Sequence, residues 1–152
     1  MKSEQEIFDF IWHGVTVLGW DKCTFGGGCY YRSPLKELCP EEQRACLIGR
    51  CIPDHRYMES LESGCAAWPD IVSAVTGEKF VSTEDFISRG GVEAGNYLKS
   101  IQVIHDVYPP SEWRYQLEEL AKSRNLAIPQ ESVDTKVESD INSETSNEYC
   151  LV

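Results

Sequence analysis

The sequence predicts a mainly helical (α+β) domain over residues 1–128 with one small β-hairpin, followed by a disordered acidic tail over 129–152. Three observations carry this. Apolar residues recur at three- and four-residue spacing near the N-terminus and in two long segments after residue 90. Two short β-type runs, Cys29-Tyr30-Tyr31-Arg32 and Ala45-Cys46-Leu47-Ile48, face each other across the stretch from Pro34 to Glu42. Beyond Pro129 the chain becomes rich in Ser, Asp, Glu and Asn, with little to bury.

Ser3 and Glu6 form the pattern of a capping box, in which each side chain satisfies the other residue's backbone N–H. Ile7, Phe8, Ile11, Val15 and Leu18 then fall on one face of a first helix that Gly19 stops, with Trp12 on its border. Residues 20–28 are turn material. Their three consecutive glycines lack the Gly-Lys-Ser/Thr ending that would cradle a phosphate. The hairpin follows, with its strands placing Cys29 near Cys46 or Cys51, and Pro53 ends it because proline cannot donate to a ladder. Residues 56–64 form a short helix. Trp68-Pro69-Asp70 opens another, with Ile71, Val72 and Val75 inward and Gly77 as its stop. Ser82 caps a short segment holding Phe86 and Ile87. A long helix over 92–107 buries Ala94, Leu98, Ile101 and Ile104 until Pro109-Pro110 breaks it. Ser111 caps a last helix that buries Trp113, Leu117, Leu120 and Ala121, and Asn125 is its left-handed terminator.

The formal charge is −11 in 152 residues, and the tail, with six acids against Lys136, contributes −5 of it. Such a chain does not grip a phosphate backbone, so no direct nucleic-acid partner is expected. The acidity could instead suit a basic protein partner, such as a nucleic-acid-binding one, or imitation of DNA; the plainer account is solubility, since about half of the excess sits in the tail. No run of apolar residues approaches the 18 needed to span a bilayer, and the N-terminus lacks a basic region followed by an apolar one. The expectation is a cytoplasmic protein with no membrane partner.

Seven cysteines in a reducing compartment should be thiols, metal ligands or reactive groups rather than disulfides. Cys29, Cys46, Cys51 and His55, with Cys39 as a substitute, could supply the four ligands of a zinc site. No Cys-x-x-Cys pair supports this, and the plainer account is small thiols filling the core, so no cofactor is expected. A thiolate nucleophile would need Cys29, Cys46 or Cys51 to meet His55 or His105. His105-Asp106 is similar to the paired ligands of HD-type phosphohydrolases, although three histidines are few for such a site. The competing account is a structural hydrogen bond at a helix end. Tyr31, Arg32 and Tyr57 form an arginine flanked by aromatics, a set that binds phosphate, carboxylate or a base by paired hydrogen bonds and stacking. Asp54 competes for that arginine within the chain. The candidate ligand- or partner-binding residues are therefore Tyr31, Arg32, Asp54, Tyr57, His105 and Asp106.

Cys29-x-Tyr31-Arg32, Cys46-x-x-Gly49, Ile52-Pro53-Asp54-x-x-Tyr57 and Leu61-Glu62 occur in that order. Leu98, Ile104-His105-Asp106, Pro109-Pro110, Trp113, Leu117 and Leu120-Ala121 follow. Together, over roughly residues 5–126, they resemble a family of small uncharacterised phage and bacterial proteins. The chain departs from that pattern at Arg50, where the family carries a small residue or a cysteine. The resemblance implies a phage or mobile-element context and no established activity. The function expected from it is a small intracellular binding protein that inhibits or modulates a host defence protein, by occupying it or by sequestering a nucleotide-like ligand. The alternative is a small metal- or thiol-dependent hydrolase of nucleotide-like substrates, working near Arg32, Cys46 and His105.

Overall fold

The computed structural model describes residues 2–22, 24–25, 28–32 and 45–130. Six α-helices lie among them: α1 (Glu4–Thr16), α2 (Leu47–Cys51), α3 (Pro69–Thr76), α4 (Thr83–Ser88), α5 (Gly91–Val107) and α6 (Pro110–Arg124). None is long and apolar enough to cross a membrane.

The predicted β-hairpin between 29–32 and 45–48 is not formed, and the fold is helical rather than α+β. Where the second strand was expected, Cys46 instead caps α2, its Sγ accepting the Gly49 N–H at 3.4 Å. The physical reason lies in the end of the run and the residues just beyond it. Leu47, Ile48, Cys51 and Ile52 repeat at i, i+1, i+4 and i+5, and all four are buried, so one helical turn hides what alternation would half expose. Extended pairing among the described residues is confined to one antiparallel pair, Thr24–Phe25 with Gly28–Cys29, two residues a side. The loop expected from Pro34 to Glu42, with Cys39, lies outside the described residues, as does the acidic tail from residue 131.

Elsewhere the caps explain the boundaries. Ser3 and Glu6 close the capping box on α1, Pro69 occupies the first turn of α3, and Ser82 accepts the Asp85 N–H at the start of α4. Asn125 ends α6 in the left-handed conformation, φ 55° and ψ 40°. Three boundaries differ from expectation. α1 stops at Thr16, so Leu18 is exposed. α6 begins at Pro110 with Pro109 as its N-cap, ahead of Ser111. The helix expected over 56–64 is instead a pair of 3-10 turns, Asp54–Arg56 and Glu59–Ser63.

α5 is the central strut. α2, α3, α4 and α6 pack on it, and α1 closes the assembly against α6 and α2. Phe8, Ile11, Leu47, Ile48, Ile71, Leu98, Ile101, Trp113 and Leu117 form one contiguous core, each such side chain contributing about 1.5–3 kcal/mol of transfer free energy. Gly95 lets α5 approach the chain just before α3, since a Cβ there would lie 2.8 Å from the Ala67 carbonyl oxygen.

Candidate functional site

The residues that carry the predicted chemistry gather where the chain leaving Tyr30 meets the 3-10 turns after α2. Tyr30 and Cys46 are joined by a backbone hydrogen bond of 3.1 Å. The next two residues face Glu62. Its carboxylate accepts the Tyr31 N–H at 2.9 Å on one oxygen and the Arg32 N–H at 2.7 Å on the other. The second oxygen also accepts the Tyr57 hydroxyl at 2.7 Å. Three donors converging on one carboxylate make strong, charge-assisted bonds. Tyr31, itself buried, spans further and donates its hydroxyl to the Gly64 carbonyl at 2.8 Å. Burial, reinforced by the bond to Glu62 and its charge, pushes the Tyr57 phenol up to about 12.

Arg32 lies over this clamp. Its guanidinium carbon sits 4.6 Å from the centre of the Tyr57 ring. One terminal nitrogen donates to the Ile52 carbonyl at 2.8 Å and the other to Asp54 Oδ1 at 2.6 Å. The partners differ sharply in exposure: the Arg32 side chain is 28% exposed and that of Asp54 94%. Four sequence-predicted residues, Tyr31, Arg32, Asp54 and Tyr57, are therefore brought together, and the intramolecular Arg32–Asp54 pair is made.

His105 and Asp106 belong to a different part of the fold, the last turn of α5. His105 is buried against Trp113, ring centres 5.2 Å apart, and its Nδ1 lies 2.9 Å from Asp106 Oδ1. Gln102 donates to both Asp106 oxygens at 2.9 Å and accepts from the Cys46 thiol at 3.8 Å. Cys46 and His105 are thus linked by a chain of polar contacts through Gln102 and Asp106.

Among the described residues no three His, Cys, Asp or Glu side chains converge as metal ligands. Within the proposed zinc set, Cys51 directs its thiol to the Leu47 carbonyl at 3.4 Å, and burial pushes it up to about 12. His55 is exposed on the first 3-10 turn. The Cys29 side chain and all of Cys39 lie outside the described residues. A cavity of about 190 Å³ opens between α1, α3 and the start of α5, lined by Ile7, Val72, Phe80 and Ala94, and none of the predicted residues reaches it.

Sequence reasoning passed over two contributors as site residues. Glu62 appears only as part of the Leu61-Glu62 motif, and no spacing rule ties it to a pair of backbone amides thirty residues earlier. Gln102 is one i+4 step before Asp106, a helical signal that could have found it.

No family model, no curated protein and no solved structure matches this chain.

Proposed function

We infer that the chain is a small phage-type binding protein that acts by occupying a host protein, the partner being a basic one of the nucleic-acid-binding kind. The observation that carries this reading is the irregular segment over residues 52–68 and the start of α3 that follows it. The Glu62 clamp and the buried Ile52, Leu61, Ala66 and Ile71 fix it from within. Around it Met58 and Trp68 are 59% and 54% exposed, and the acids Asp54, Glu59 and Asp70 of the same stretch of chain are exposed as well. Large apolar anchors with a charged surround are the composition of a protein-binding hot spot, and rigidity lowers the entropy lost on docking. Acidic charge selects a basic partner and speeds encounter with it. The phage context comes from the motif resemblance alone.

The alternative hydrolase would use Cys46 and His105. Each is only 1% exposed, so on the binding reading substitution of either should act through stability.

The test uses the immobilised full-length chain and a bacterial lysate, with a Met58→Asp/Trp68→Ser variant as the control. Both positions are exposed, so the variant should fold. A protein of basic isoelectric point retained by the wild type, released as salt rises and missed by the variant is the expected result. Equal retention by both chains would reject this face.

A further inference from the structure

Arg32 is held in place without help from Asp54. Tyr57 supports its face and the Ile52 carbonyl anchors one nitrogen, so the remaining N–H edge is a positioned donor whatever occupies it. Its present occupant is tied there weakly. The Asp54 side chain is almost wholly solvated, and an ion pair in that setting is among the least stabilising in proteins. Asp54 also sits on a 3-10 turn closed by backbone bonds from Arg56 and Tyr57 to Pro53, so its carboxylate can swing into water while the turn stays formed.

We propose that Asp54 is an internal place-holder on an anion site, and that the phosphate group of a small phosphate ester displaces it from Arg32. A carboxylate ligand would exchange one single negative charge for another. A phosphate monoester carries about −1.5 to −2 at neutral pH and offers three acceptor oxygens, so it outcompetes a carboxylate at the same guanidinium. Arginine fits because its planar fork pairs with two oxygens at once. Glu62 is also at this point, its charge engaged by three donors of its own, and the Glu59 charge is near enough to act on the Tyr57 phenol. The two alternatives legible in the sequence, a ligand-binding arginine and an Arg32–Asp54 pair, thus become two states of one site.

The site is tested on the full-length, ¹⁵N-labelled chain, titrated at constant ionic strength with inorganic phosphate and with adenosine monophosphate. Saturable shifts at Arg32, Ile52 and Tyr57 are expected with both. Asp54→Ala, a change at an exposed position, should tighten binding roughly two- to five-fold, because the competitor it removes is worth only that much. Arg32→Gln should abolish the shifts at these residues, its folding checked by thermal melt. The proposal fails if no titration saturates, if Arg32→Gln leaves the shifts intact, or if Asp54→Ala weakens them. Met58→Asp/Trp68→Ser should leave the titration unchanged, so this site and the protein-docking face stand or fall separately.

Discussion

Glu62 shows how one carboxylate can join three separate pieces of chain. Removing it leaves the Tyr31 and Arg32 amides and the Tyr57 hydroxyl without their acceptor in a part-buried setting. We expect Glu62→Ala to lower unfolding free energy by about 2–3 kcal/mol in urea denaturation. Glu62→Gln should recover less than half of that, because its NH₂ group would turn donors toward a donor. A loss below about 0.5 kcal/mol would mean that water replaces the carboxylate there. At this scale, legibility depends on sequence distance. Part of the Arg32–Asp54–Tyr57 grouping can be read because Asp54 and Tyr57 lie three residues apart behind a proline and Arg32 directly follows two tyrosines, although Arg32 itself is 22 residues from Asp54. The Glu62 contacts bridge 30 and 31 residues and obey no periodicity.

At the scale of the element, α2 shows why a short apolar run misleads. Cys46-Leu47-Ile48 suits a strand or a helix equally, and local propensity favours the strand because of its β-branched isoleucine. Tertiary packing decides it. Gly49 sits directly on the Tyr31 carbonyl, where an added Cβ would lie 1.7 Å from the oxygen. Backbone is the obstruction, so no rotamer change can relieve it. Gly49→Ala should therefore cost about 1–3 kcal/mol or more and separate α2 from Tyr31. Its thermal melt would show this, and a melt within a degree of wild type would contradict it. α1, α3, α5 and α6 are legible because each combines a long periodic stripe with an explicit stop or cap. The 3-10 turns are not, since turns of three to five residues carry too few apolar positions to establish a period.

For the molecule as a whole, several buried groups gain stability only while protonated. Burial raises Cys51 from 9.0 and Tyr57 from 10.0, each to about 12. It also raises Tyr97, with the nearby Glu4 charge adding to the effect. Each of these groups is neutral with its proton on, and the folded chain holds that proton more tightly than the unfolded one. Their contribution is complete below about pH 9 and is lost as pH climbs toward 12. Melting temperature should therefore fall steeply between pH 9 and 11, and a Cys51→Ala/Tyr57→Phe variant should show a flatter decline. Parallel curves for the two proteins would place the alkaline sensitivity elsewhere.

Gln5 binds the chain that follows α6 as a strand partner would, donating to the Ala127 carbonyl and accepting the Ala127 N–H, both at 2.8 Å. Arg124 reinforces the closure through Glu4 at 3.3 Å. The first helix and the residues after the last are thus neighbours, and the path between them is nearly a closed ring. A circularly permuted chain could join residue 128 to residue 3 through a short glycine-serine bridge and open instead in the exposed connection around Val81. In such a protein the order of the helices would change while their packing partners stayed the same.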